Sequence, residues 1–149
     1  MTTIIKDQIK SSLIASMRAQ DKQKTAALRL ITSAIKQIEV DERITVDDVR
    51  LLVILDKLAK QRRESITQFK AAKRNDLVKQ EEFELNLISS FLPAPLTEHE
   101  IANLITEAIA DLNAKTMADM GKVMGHLKPK LQGRCDMSLV SQMIKSKLH

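Results

Sequence analysis

Apolar residues recur along this chain at helical spacing. Ile5, Ile9, Leu13 and Met17 fall four apart and define a first amphipathic helix ending near Gln20. Asp21 stands where an N-cap belongs, and Ala27/Leu28, Ile31, Ala34/Ile35 and Ile38 form the stripe of a second helix. The polar run 39–43 interrupts that stripe. Thr45 with Asp48 three residues later has the spacing of a capping box in its acidic form. It predicts a long third helix through Val49, Leu52/Val53, Leu55, Leu58/Ala59, Ile66 and Phe69. A fourth, with Asn75 as its cap, carries Leu77/Val78, Leu85, Ile88 and Leu92. Four such helices with short links predict a bundle or a paired helical array.

Pro93-Ala94-Pro95 must end the fourth helix near Leu92, because proline removes backbone donors and keeps the preceding residue out of the α region. The next helix opens with Thr97 and Glu100 as a capping box, and with Leu96 and Ile101 as a hydrophobic staple. Its stripe is Ile101, Leu104/Ile105, Ala108/Ile109 and Leu112. Thr116 and Asp119 cap a further helix, which Pro129 should end by Lys128. Asp136 caps a last one bearing Met137, Val140, Ile144 and Leu148. The expectation is an all-α chain: a four-helix N-terminal unit (1–92), a proline linker (93–96) and a smaller three-helix tail (97–149).

Composition narrows this without changing it. Three glycines and three prolines in 149 residues are too few for the turns of an all-β sandwich, and 44% hydrophobic residues argue against disorder. The longest aliphatic run, 51–55, is far short of the ~20 residues that span a bilayer, so no membrane association is expected. A charged start without an apolar core, and a single cysteine that permits no internal disulfide, point to the cytoplasm. Three Phe with no Tyr or Trp exclude aromatic stacking as the main recognition device. The net charge of +5 is uneven along the sequence. Residues 1–114 hold 17 cationic and 17 anionic side chains, whereas 115–149 hold seven and two. Such asymmetry points to a polyanionic partner.

No catalytic constellation emerges. His99, His126 and His149 are scattered, with no metal-ligand spacing to one another or to Cys135. Cys135 follows Arg134 near a helix start but reads as a small packed residue. Glu81, Glu82 and Glu84 read as a solvated helical face balanced by Lys79, Lys73 and Arg74. Gly121-Lys122 lacks the rest of a phosphate-binding loop. No cofactor or metal is expected. Of two basic segments, Lys60-Gln61-Arg62-Arg63 points in several directions around one helix, with Asp56 and Glu64 spaced to pair with Lys60. The other, 128–134, reads as a turn unbalanced by acids beside the N-terminus of the last helix, a place suited to phosphate.

The run MGKVMGHLKPKLQGRCD, with VSQMIKSKL after it, resembles the YqeY-type tail of the GatB/YqeY family. The shared features are a Gly-x-Val-Met helix, a Gly-Arg turn and a basic final helix, matched here by Gly121, Val123, Met124, Gly133, Arg134, Lys145 and Lys147. The stretches ALRLITSAIKQIEVDER (27–43), KQRRESITQF (60–69) and FLPAPLTEHEI (91–101) resemble those of freestanding members, so the likeness covers nearly the whole chain. Cys135 departs from the usual alanine of the Gly-Arg-Ala-Asp turn. The resemblance implies a helical unit followed by a tail of the kind that contacts tRNA in the B subunit of glutamine-dependent tRNA amidotransferase. Nothing here resembles that subunit's catalytic cradle, so a carbon–nitrogen ligase activity would attach to this chain by family association alone.

Together these features give the expectation of a non-catalytic accessory protein that binds tRNA or another structured RNA. Its surface would centre on Lys122, Lys128, Lys130 and Arg134, extended by Lys145 and Lys147, and would read backbone shape and phosphate. The alternative is a protein-interaction adaptor holding a partner such as an aminoacyl-tRNA-related enzyme, which exposed Met and Leu in the tail would favour.

Overall fold

Each of the predicted stripes is a helix in the computed structural model, which describes residues 2–148, and no strand occurs among those residues. The described residues fall into two compact units that divide between Leu92 and Pro93.

The first unit contains α1 (Ile4–Arg18), α2 (Lys22–Glu42), α3 (Asp48–Ala71) and α4 (Asn75–Ser90). Its core is aliphatic, with Ile9, Leu28, Ile31, Leu51, Leu55 and Ile88 all buried. Burial of these stripes supplies the drive for the unit, at roughly 25 cal/mol per Å² of apolar surface removed from water. Asp21 caps α2 as its position suggests, accepting the Lys24 N–H at 3.1 Å.

Three boundaries in the first unit differ from the sequence reading. The polar run 39–43 does not end α2, which continues to Glu42. Glu39 is polar because it is bonded: its carboxylate accepts Lys6 Nζ at 2.7 Å and the N–H of the buried Val46 at 2.9 Å. The cap of α3 is Asp47, which accepts the Arg50 N–H at 2.9 Å; Thr45 lies in the preceding loop. Asp48 serves another helix altogether, since its carboxylate accepts Ile4 N–H at 3.2 Å, Ile5 N–H at 2.9 Å and the Thr2 hydroxyl at 2.8 Å. It thereby satisfies donors that the first turn of α1 cannot satisfy itself. Asn75 is the first residue of α4 and no side chain caps that helix.

The carboxylates at 81 and 84 are not a solvated face. Arg62 on α3 reaches α4, donating from Nε to Glu84 Oε2 at 2.7 Å, with Glu81 Oε2 at 3.6 Å. Glu84 is buried, and Gln80 Nε2 donates to its other oxygen at 3.2 Å. The ion pairing of Arg62 in the basic segment 60–63 therefore runs between helices.

The second unit contains α5 (Glu98–Leu112), a 3-10 turn (Met117–Asp119), α6 (Met120–Leu131) and α7 (Met137–Lys147) around Ile105, Val123, Leu127, Leu131, Val140 and Ile144. Thr97 caps α5 by accepting the Glu100 N–H at 3.2 Å, with Ile101 buried and Leu96 packed on the same core, the arrangement of a hydrophobic staple. The stretch 93–97 has no regular structure, yet its second half is tied down. Leu96 N–H donates to Arg134 O at 2.9 Å and Arg134 Nε donates to Ala94 O at 3.3 Å.

Pro129 does not end α6, which runs on to Leu131. A proline in a helix interior costs about 3 kcal/mol. Here the turn beyond it is retained because Leu131 is fully buried beside Leu127, and Gln132 N–H still donates to Lys128 O at 2.9 Å. The connection is therefore only 132–136, built on Gly133 at φ 80°, a left-handed conformation that glycine adopts without strain.

Candidate nucleic-acid interface

The six cationic residues expected at an RNA surface occupy four separate places, with Arg134 in the turn between α6 and α7. Lys122 lies near the start of α6, Lys128 and Lys130 in its last turn, and Lys145 and Lys147 in the last turn of α7. All five are exposed, whereas Arg134 is half-buried. The helix geometry does not gather the α6 lysines on one face. At 100° per residue, Lys128 follows the buried Leu127 by one step and Lys130 precedes the buried Leu131 by one step. They therefore flank the core stripe on opposite sides, and both complement the negative end of the helix.

Two of the six already have partners within the unit. Arg134 donates to Ala94 O, as described above, and Lys147 Nζ donates to Thr106 Oγ1 on α5 at 2.9 Å. Asp119, beside Lys122, accepts the N–H groups of Lys115 at 2.9 Å and Thr116 at 3.3 Å. Those two bonds hold its carboxyl below the ordinary range, with a smaller contribution from Lys122.

Folding also redistributes the charge. The second unit includes α5, which carries Glu98, Glu100, Glu107 and Asp111 and no lysine or arginine. Counted over 93–149 there are seven cationic and six anionic side chains, a net of +1, while 1–92 has 17 and 13, a net of +4. The tail is thus divided, with four of its six acids on α5 and most cations on α6, α7 and the turn between them. Counting along the sequence from residue 115 hid both the acidic helix and the excess on the first unit.

Gly121 and Gly125 are exposed on α6, and an added Cβ at either would meet no atom within 4 Å. Nothing in the unit requires glycine there. Since glycine is about 1 kcal/mol less favourable than alanine in a helix interior, Gly125→Ala should raise the stability of the protein by roughly 0.5–1 kcal/mol. Chemical denaturation of the variant measures this; a loss of stability would mean that the glycine has a conformational role the geometry does not show.

No group of three or more His, Cys, Asp or Glu that could hold a metal ion occurs among the described residues, and His149 lies outside them. No described helix is long and apolar enough to cross a membrane. Among the described residues of the tail, Met117 is the one large hydrophobic side chain that is substantially exposed.

The model of the YqeY-like protein family matches residues 6–148. The chain belongs to that family. It is similar to the protein named altered inheritance of mitochondria protein 41, mitochondrial, in three fungi. Identity is 36% over 85 residues in Saccharomyces cerevisiae, covering 56% of this chain and 46% of the relative. It is 34% over 110 residues in Vanderwaltozyma polyspora, covering 72% and 60%, and 38% over 87 residues in Eremothecium gossypii, covering 58% and 48%. The chain spans about half the length of the fungal relatives it matches. The names of these proteins overturn the cytoplasmic expectation. That expectation leaned on a charged start without an apolar core, which argues only against secretion, and on a lone cysteine, which excludes an internal disulfide in any compartment.

Proposed function

We propose that this YqeY-like protein is an accessory RNA-binding protein without catalysis of its own. Its ligand is tRNA or another structured RNA, held by the α6–α7 side of the second unit. By its fungal relatives, the setting in which to seek that RNA is mitochondrial. The observation that carries the reading is the segregation of charge in the second unit. Four of the six acids sit on α5, and Lys122, Lys128, Lys130 and Lys145 are exposed on the helices beyond it. The two units act as separate domains on this reading, 1–92 and 97–149, joined through 93–96. The exposure of Pro93, Ala94 and Pro95 supports that division.

Each phosphate neutralised releases condensed counterions, so affinity should fall with salt. Lys128→Gln with Lys130→Gln should weaken tRNA binding by about tenfold and flatten the salt slope by about 1–2, with helical content unchanged. Arg134 is left in place because it also holds Ala94. Titration of labelled tRNA at several salt concentrations gives both quantities. Wild-type binding with no change in this variant would remove the tail from the interface.

The adaptor reading has less support. The exposed methionines and leucines it calls for reduce to Met117 among the tail's described residues.

A further inference from the structure

Between residues 8 and 38 the first unit carries six cationic side chains, Lys10, Arg18, Lys22, Lys24, Arg29 and Lys36, against one anion, Asp21. That anion is already engaged as the cap of α2. Lys22, Arg29 and Lys36 recur at seven-residue intervals along α2, and all three are exposed. Seven residues turn a helix to within about 20° of two full turns and advance it by about 10.5 Å. The three cations therefore stand in a row on one face, about 21 Å from end to end.

The row borders the seam between α1 and α2. Two grooves lie along that seam, one of about 340 Å³ beside Lys22 and Arg29 and one of about 300 Å³ beside Lys10 and Lys36. Arg29 Nη2 lies 3.7 Å from Met17 Sδ on α1, which places its guanidinium over the seam. Of the carboxylates at the far end of α2, Glu39 lines the second groove paired with Lys6, Glu42 pairs with Arg50, and Asp41 accepts from the neutral side chain of Gln37. Glu39 and Glu42 are thus matched by cations, and only Asp41, five residues beyond Lys36, is bonded to a neutral group.

We infer that the α1–α2 seam is a second phosphate-binding face, on which Lys22, Arg29, Lys36 and Lys10 contact the backbone of the RNA. This rests on the reading that the ligand is a structured RNA, and it adds the first unit to the interface. A membrane surface fits less well. The apolar face of α2 (Leu28, Ile31, Ile35) is spent on the core, and an interfacial helix needs that face to insert. Evenly spaced cations on a helix with its backbone fixed by packing suit sequence-independent contact with phosphates.

The test is tRNA binding by the full chain across a range of salt. Lys22→Gln, Arg29→Gln and Lys36→Gln together should weaken binding by about tenfold and flatten the salt slope by about 2, and Arg29→Gln alone by less than 1. The control removes three exposed cations from α3 and α4 of the same unit (Lys57→Gln, Lys70→Gln, Lys79→Gln) and should change binding less. Circular dichroism must show the same helical content in all variants, and the single substitution serves if the triple one does not fold. A triple α2 variant with wild-type affinity and slope overturns this inference while leaving the tail interface standing if the tail variant is weakened. An equal loss in the α3–α4 control also overturns it, because net charge would then explain the effect. If the wild-type protein shows no salt-dependent tRNA binding, the RNA reading and this inference fall together. Binding to phosphatidylglycerol vesicles but not to tRNA, lost in the α2 variant, would assign the row to a membrane instead and overturn it as well.

Discussion

Replacing Arg62 by alanine should lower the stability of the protein by about 3 kcal/mol at neutral pH. Arg62 is the cation that the structure pairs with both Glu81 and Glu84, and the three side chains are only 18%, 20% and 11% exposed. Removing one member of a buried ion pair costs about 3–5 kcal/mol, because the remaining charge is neither solvated nor compensated. Here two carboxylates would be left facing each other, and the lower figure reflects their partial exposure. The deficit should shrink as the pH falls, since an uncompensated carboxylate can take up a proton. Chemical denaturation at two pH values measures both effects, and a loss below about 1 kcal/mol would mean that water compensates the pair.

Glu81 supplies the sign of a companion effect. Burial pushes its carboxyl above the ordinary value of 4.5, the neighbouring Glu84 pushes it further, and Arg62 pulls it back. Its Oε2 lies 3.6 Å from Arg62 Nε, an ion-pair distance, and accepts no hydrogen bond. A carboxyl that holds its proton longer in the native state than in the unfolded chain costs stability as the pH rises through that interval. Glu81→Gln should therefore stabilise the protein at neutral pH by about 1 kcal/mol and lose that advantage in acid. Its amide could also donate to Glu84.

Asp48→Ala should be the next most damaging change, at about 2 kcal/mol. A lone N-cap is worth about 1 kcal/mol, and this carboxylate meets two backbone donors of α1 and one hydroxyl while Asp48 N–H donates to Thr2 O at 2.8 Å. Asp48→Asn should recover part of the loss, since an amide oxygen still accepts but carries no charge to oppose the helix dipole. Thr45→Ala, at the position that the sequence pattern favoured as a cap, should change stability by less than 0.5 kcal/mol.

The helices themselves were legible because nearly every buried residue belongs to a stripe of period 3.6. Ile9, Ile31, Leu55, Ile105 and Val140 all fall where that period puts them. Boundaries were harder, for specific reasons. Several helices end at non-glycine residues in the left-handed region, Gln20, Arg43, Lys73 and Asn113, so the usual glycine stop signal is absent. Pro129 was outweighed by the burial of Leu131, a tertiary effect no local rule contains. Asp48 and Glu84 look like surface acids in sequence, because the groups they bind lie 43 and 22 residues away. The expected interface depended on a count that stopped at residue 115. Only the fold shows that the acids of α5 belong with the lysines that follow, and that the heptad-spaced cations of α2 share a seam with α1.

The clasp between Asp48 and the start of α1 also bears on the order in which the chain assembles. Thr2 and Asp48 are 46 positions apart, and closing a flexible loop of that length costs on the order of 3 kcal/mol in chain entropy. The α3–α4 hairpin needs no such closure, because its helices are joined by a three-residue turn, 72–74. Early structure should therefore gather around α3 and α4, with the first turn of α1 secured only when the start of α3 is in place. The amide protons of Ile4 and Ile5, shielded by a side chain from far along the sequence, become reporters of that closing step. Their exchange should track the parting of α1 from α3 and not the fraying of a helix end.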